Sequence, residues 1–302
     1  MGQKIDKMFS IIIPTLNNLR YLKLCIESIN KNSKYKNEII PHINIGSDGT
    51  IDYLKKNNID FTYTEDNSGI CKGMNLAAKK STKDYILYAH DDFYFCPSWD
   101  EILNNEVKKI GNNYFYLSGT MMHNGPISFD CGDNIDNFDE EYFLSNYKNY
   151  NYYDFQGSTW APHLIHRDIW NKVNGFSEEF YPGTGSDPDL NMKLWNAGVR
   201  IFKGINNFKV YHFGSIVTRK YKGNPNLITE SGSKGGKIFL LKWGFTIKFF
   251  KKFIMKSDTP YQGELKEPKK NLNYLLNYII SKLYYLYVRY IYNFRNKIYN
   301  SF

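Results

Sequence analysis

The sequence predicts an α/β fold in which a mainly parallel sheet lies between layers of helices. Three observations carry that prediction. Short apolar runs alternate with segments of helical apolar spacing, the pattern of strands joined by crossover helices. Several of the runs stop abruptly in polar clusters, as parallel strands do at their carboxyl ends. The chain has 302 residues, 42% of them hydrophobic, enough to bury a large core.

The elements follow in order. Residues 9–13 (FSIII) form a buried strand closed by Pro14. Helical spacing of Leu19, Leu22, Cys25, Ile26 and Ile29 predicts a helix over 18–29. Residues 42–45 alternate as a strand and meet the turn GSDGT at 46–50. A short helix over 51–57, a strand over 61–64 and a helix over 68–80 come next. The strand over 85–89 runs into His90, Asp91 and Asp92. Further on, residues 189–195 read as a helix ending at Gly198, and a strand-like run leads to His212.

Three strand ends therefore carry polar groups: Pro14, Thr15 and Asn17; the GSDG turn with Asp48; and His90 with Asp91 and Asp92. In open α/β sheets, ligands bind beyond the carboxyl ends of strands. Adjacent carboxylates at the end of an apolar strand repel each other and lose hydration. A divalent cation bridging them to a phosphate would offset that cost; a solvated Asp-Asp turn is the alternative.

Charge is unevenly distributed. Residues 234–302 hold 14 basic and three acidic residues, net +11, which leaves 25 basic and 27 acidic residues in the first 233. A nearly neutral body with a basic tail is not the pattern of a nucleic-acid binder, whose basic residues cover a folded reading surface. The domain boundary is placed between 1–225 and 226–302. The tail interleaves aromatics with lysine in WGFTIKFFKKFIMK. It then runs from residue 272 as a helix with a broad Leu/Ile/Tyr face and a polar stripe of Ser281, Lys282, Arg289, Asn293, Asn296 and Asn300. An interfacial helix on an anionic membrane is one reading, and packing on the body or another subunit is the other. Four cysteines without metal spacing, no signal peptide and no apolar stretch long enough to span a bilayer point to a cytoplasmic protein, peripheral on the membrane face.

The motifs FSIIIPTLNN, INIGSDGT, DNSGICKGMNLAAKKSTKDYILYAHDD, GFSEEFYPGTGSDPDLNMKLWNAGVRI and VYHFGS, in that order over residues 9–215, resemble family 2 glycosyltransferases of the GT-A fold. The resemblance implies nucleotide-sugar contacts at Pro14, Thr15, Asn17, Asp48, Asn75 and Asp91. It implies a Mn²⁺ or Mg²⁺ ion on Asp92, with His212 as a returning ligand. It also implies that Asp187 is the base that deprotonates an acceptor hydroxyl, giving inversion at the sugar C1. The chain departs from the family at Met74, where an arginine often stands, leaving Lys72 as a substitute cation, and at Ser186, where an acid usually precedes Asp187. Asp189 reads as a helix cap, His163 and His166 as structural, and Trp160 as a wall of the acceptor pocket. The expected donor is a UDP-sugar and the expected acceptor a glycan or lipid-linked hydroxyl, with no nucleic-acid partner. A nucleotidyltransferase, or a non-catalytic basic membrane or nucleic-acid-binding protein, is the rival class.

Overall fold

In the computed structural model, which describes residues 8–214 and 231–299, the chain begins with the predicted alternation. It runs β1 (Phe9–Leu16), α1 (Leu19–Asn32), β2 (Glu38–Asn44), α2 (Thr50–Lys56), β3 (Thr62–Thr64), α3 (Gly69–Lys80) and β4 (Tyr85–Tyr88). Then come β5 (Phe93–Phe95), α4 (Trp99–Ile110), β6 (Phe115–His123), α5 (Glu140–Asn146), β7 (Phe155–Gln156), β8 (His163–His166) and α6 (Arg167–Lys172). The series continues with α7 (Ser186–Asn196), β9 (Ile201–His212), α8 (Ser231–Trp243), the short α9 (Ile247–Phe249) with a π-helical turn at Phe250–Met255, and α10 (Leu272–Tyr299).

One sheet of nine strands organises these elements in the order β3-β2-β1-β4-β8-β6-β9-β5, with β7 paired to β9. The β3-β2-β1-β4 half is wholly parallel. Beyond β4 the sheet is mixed: β8 runs antiparallel to both β4 and β6, β5 antiparallel to β9, and β6 parallel to β9. The expected GT-A architecture is present. Alpha-helix α1 buries Leu22, Cys25, Ile26 and Ile29, the i, i+3, i+4, i+7 set that its spacing predicted. Each such side chain contributes roughly 1.5–3 kcal/mol when removed from water. Gly73 lets α3 lie directly on β2, since a Cβ there would come 2.4 Å from the His42 ring.

The C-terminal region is built into this body. Phe239, Leu240, Phe250 and Met255 are fully buried, and Phe239, Phe250 and Met255 belong to the same hydrophobic cluster as the sheet. Of the two readings of the tail, packing on the body holds for residues 243–255: Phe250 lies in the core, with Trp243 and Phe245 packed against it. Gly235 sets α8 against the loop before α7, where a Cβ would meet the Thr184 carbonyl oxygen at 1.9 Å. Asp189, with no solvent exposure, joins the two helices: it accepts from Ser177 Oγ at 2.6 Å and Trp243 Nε1 at 2.8 Å, and lies 3.0 Å from Lys242 Nζ.

Alpha-helix α10 also differs from expectation. Ser281, assigned to its polar stripe, is buried and lies 3.4 Å from Thr246 Oγ1, while Tyr274 and Tyr278 pack on Phe249. The broad Leu/Ile face points outward instead, with Leu272, Ile280 and Leu283 each more than 60% exposed. The side chains of Asn293, Asn296 and Asn300 lie outside the described residues.

Because Asp189 satisfies three donors at once, Asp189→Ala is expected to destabilise the protein by about 2–4 kcal/mol. That is below the full cost of a broken buried ion pair, since Lys242 retains partial access to water. Equilibrium urea unfolding measures it; a loss under about 1 kcal/mol would show that this carboxylate does not hold α8 in place.

Candidate active site

Sheet register explains why the strand-end acids meet Thr15. Ile12 pairs with Tyr88 in the parallel β1–β4 ladder, and the Ala89 amide still donates to the Ile12 carbonyl. Three residues further along each strand, Thr15 Oγ1 donates to Asp91 Oδ2 at 2.7 Å. Asp91 is 6% exposed, and burial, then the neighbouring charge of Asp92, pushes its carboxyl up to about 7. Thr15 and Asn18 oppose that shift, although the Asn18 amide nitrogen does not reach full hydrogen-bond geometry. Asp91 thus holds its charge only at a cost, which a nearby cation would relieve.

A second pairing brings in His212, which lies 120 residues from Asp92 in sequence. In the antiparallel β5–β9 ladder Phe93 faces His212, and the Phe213 amide donates to the Asp92 carbonyl. His212 Nε2 therefore lies 3.7 Å from Asp92 Oδ2. The His212 Nδ1–H donates to the Asn124 carbonyl at 2.9 Å, a bond that leaves the Nε2 lone pair facing Asp92. His90 joins them, stacked on Phe93 at 4.9 Å. One donor atom from each of His90, Asp92 and His212 lies within 4.8 Å of the others. Two imidazole nitrogens and a carboxylate oxygen make a donor set that fits a divalent cation. His90 was the ligand candidate missed in the sequence; its position directly before the acid pair was the available signal.

The two acids of α7 have different surroundings. The helix begins at Ser186, three residues before its predicted start, so Asp187 and Asp189 both sit in its first turn. Asp189 is saturated by protein donors. Asp187 Oδ1 is buried with no hydrogen-bond partner. Burial pushes the Asp187 carboxyl up to about 7, against the pull of the Lys251 charge. Its field reaches the buried hydroxyls of Tyr88 and Tyr116, and Tyr88 also feels Asp91 and Asp92. A carboxylate that is poorly solvated, unpaired and poised near neutrality has the character of a general base.

The remaining predicted residues fall into two groups. Pro14 and Thr15 are at the end of β1, beside the acids. Asn17 and Asp48 tie the neighbouring loops together: Asn17 Oδ1 accepts from the Ser47 amide, while Asp48 accepts from the Leu19 amide at 2.8 Å and from Thr50 Oγ1 at 2.6 Å. Asp48 therefore caps α1 from an adjacent turn. Asn75 is not brought to the strand ends by its side chain: its amide bonds the Phe176 backbone in both directions and Glu178 Oε1. It lines a groove of about 800 Å³, with Lys79, Trp170 and Lys193, that contains none of the strand-end acids. Met74 is buried in the core, and Lys72 is exposed with its charge felt at His42. His166 caps α6 and His163 bonds the Tyr116 hydroxyl.

Comparison with known proteins points in the same direction as the motifs. The family described as Glycosyl transferase family 2 matches residues 10–168, over half of the chain. Among solved structures, S. aureus TarS 1-349 is similar with a TM-score of 0.51 and 17% identity, over 68% of this chain and 60% of that one. The longer S. aureus TarS chain gives 0.52 and 14% identity, over 77% and 42%. TarS 1-349 in complex with UDP-GlcNAc gives 0.50 and 14%, over 69% and 61%. The likeness at these identities is one of fold, and the chain spans about 60% of the two TarS 1-349 chains and 42% of the longer one. No curated protein sequence matches it.

Titration with Mn²⁺ followed by electron paramagnetic resonance is expected to show one bound ion per chain at micromolar protein and metal. Asp92→Asn and His212→Ala are each expected to weaken that binding by about tenfold or more, as loss of a ligand does. Equal binding by both variants would remove the metal centre from this cluster.

Proposed function

The chain belongs to glycosyltransferase family 2, and from that premise we propose that it moves a sugar from a nucleoside diphosphate donor to a hydroxyl of a glycan or lipid-linked acceptor, inverting C1. The observation that carries this reading is the unpaired, buried Asp187 oxygen, set apart from the His90–Asp92–His212 cluster and joined to it electrostatically through Tyr88. A UDP-sugar is the preferred donor; the similar TarS 1-349 has been crystallised with UDP-GlcNAc.

In this reading Pro14, Thr15, Asn17, Asp48 and Asp91 bind the nucleotide end, and Asn75 acts through the loop it clamps at Phe176. His90, Asp92 and His212 hold a divalent cation, Mn²⁺ in preference to Mg²⁺ because two of the donors are imidazole nitrogens. When bound, that cation neutralises charge developing on the departing diphosphate. Asp187 takes the proton from the acceptor hydroxyl as its oxygen forms the bond to C1, and the C1–O bond to the diphosphate breaks with its electron pair leaving on oxygen. Base and leaving group on opposite faces give inversion without a covalent glycosyl-enzyme. A nucleotidyltransferase remains the alternative class, and release of nucleoside diphosphate rather than pyrophosphate separates the two.

We further infer a peripheral membrane placement on the cytoplasmic face, through α10. Its outward face presents Leu272, Leu276, Ile279, Ile280, Leu283 and Tyr287. No acidic residue lies in Leu272–Tyr299, whereas Lys282 and Arg289 do. A helix apolar on both sides needs a second partner beyond its own body, and tyrosine-rich, basic faces suit the headgroup level of an anionic bilayer. Among the described residues no helix is long and apolar enough to cross a membrane.

Incubation with a panel of nucleotide sugars and Mn²⁺ is expected to release nucleoside diphosphate. Asp187→Asn is expected to lower kcat by about 10²-fold with donor affinity and thermal stability retained. Because the carboxyl titrates near 7 and acts as its anion, kcat/KM falls as pH drops through that value, and the variant loses this limb. A full-rate variant, or an unchanged acid limb, would show that another group takes the proton.

For the membrane placement, the full chain is expected to float with phosphatidylglycerol vesicles, less so at high salt, and not with phosphatidylcholine alone. The double variant Ile280→Asp, Leu283→Asp is expected to stay in solution. Equal flotation of both, or of neither, would overturn the role of α10.

A further inference from the structure

The C-terminal segment contributes a charged side chain to the neighbourhood of the base. Four of the buried side-chain atoms without a hydrogen-bond partner belong to Trp160, His163, Asp187 and Asn191. They are neighbours. Tyr116 Oη bonds the Trp160 carbonyl at 3.1 Å and His163 Nδ1 at 3.0 Å, and it feels the Asp187 charge. Asn191 stands one helical turn beyond Asp187, and its amide donates to Ser158, two residues before Trp160. Native proteins pair their buried polar atoms, so a group of bare ones marks a place that water, an ion or a ligand completes.

Lys251 approaches the same place from the π-helical turn at Phe250–Met255. Its Nζ stands 6.0 Å from the centre of the Trp160 ring, and its charge is felt at Asp187. It makes no ion pair among the described residues, whereas Lys242, the other lysine of this region near α7, is held by Glu179 and Asp189. A lysine serving only to neutralise Asp187 would sit within ion-pair distance of it. Lys251 instead stands beside an aromatic ring, outside ion-pair distance of the carboxylate. A lone ammonium is a point charge suited to phosphate, while planar carboxylates favour the forked guanidinium of arginine.

We propose that Lys251, Trp160 and Asp187 form an acceptor subsite, completed by the C-terminal segment, for an acceptor whose reacting hydroxyl lies beside a phosphate. The subsite rests on the glycosyl-transfer reading. Lys251 binds the phosphate, Trp160 supports the carbon skeleton, and Asp187 receives the hydroxyl proton. The phosphate has two chemical sources, a soluble polyol or sugar phosphate and a phospholipid headgroup, and both present the same chemistry to Lys251.

The test uses the full chain with Mn²⁺ and whichever UDP-sugar it hydrolyses, since hydrolysis reports the donor side alone. Acceptors are offered in matched pairs: glycerol 3-phosphate against glycerol, and phosphatidylglycerol against diacylglycerol in detergent micelles. The phosphorylated member of at least one pair is expected to have the lower KM, and the pair that shows it identifies the source. Lys251→Met is expected to raise that KM by about tenfold or more, the loss of one charge-assisted contact. At a pH well above 7, where Asp187 is ionised with or without the Lys251 charge, thermal stability and transfer to the neutral member stay within about twofold, and Lys251→Arg restores part of the loss. A wild-type enzyme indifferent to phosphate, or a methionine variant impaired equally on both members, overturns the subsite while leaving glycosyl transfer standing. Absence of UDP release from every donor would instead sink the transfer reading, and the subsite with it.

Discussion

Asp91 and Asp92 impose the constraint around which the rest of the molecule is arranged. Both are about 95% buried, side by side, at the end of an apolar strand. Such a pair is sustained only if groups that hydrogen-bond it, or that share a cation with it, converge on it from other elements. The sheet supplies that convergence twice. Parallel pairing of β1 with β4 delivers the Thr15 hydroxyl to Asp91, and antiparallel pairing of β5 with β9 delivers His212 to Asp92. The change from a parallel half to a mixed half occurs at the acids themselves, since β4 is the last strand of the parallel set. The electrostatically costly site and the topological break are thus the same place, where an α/β sheet opens a crevice for a ligand.

The two acids in the first turn of α7 have unlike surroundings. Asp189 spends its oxygens on Ser177, Trp243 and Lys242 and so fastens the C-terminal region to the body. Asp187, two residues earlier, points elsewhere on the helix and keeps a buried oxygen bare. An unpaired buried carboxylate detracts from stability, and retaining one is the usual mark of a group kept for reactivity. The anchoring acid also links the C-terminal region to Asp187, because the same docking that buries Phe250 and packs Trp243 against the core carries the Lys251 charge toward Asp187.

The basic tail is accordingly two things. Residues 234–256 supply core aromatics, a helix packed against the α7 loop and a cation near Trp160 and Asp187. Alpha-helix α10 packs one aromatic face on Phe249 and turns its aliphatic face outward. Composition alone left membrane contact and packing on the body as alternatives for the whole tail. The difference arises because lysine stems and aromatic rings interleave equally well in a packed segment, where the rings go inward and the charges reach solvent.

The sequence by itself determined the α/β class, the helices and strands of the first ninety residues, the strand-end acids and the family, because periodic apolar spacing and short contiguous motifs are local properties. It also singled out Asp187, through its frame before a helix. Tertiary structure alone decided that His90 joins Asp92 and His212 in one cluster, and that Asp48 caps α1. It likewise decided that Asn75 clamps a loop, that Ser281 faces inward and that the C-terminal region belongs to the core. Those outcomes depend on strand register and on which helix face meets which neighbour. A pairing between residues more than a hundred positions apart leaves no trace in the spacing of either partner.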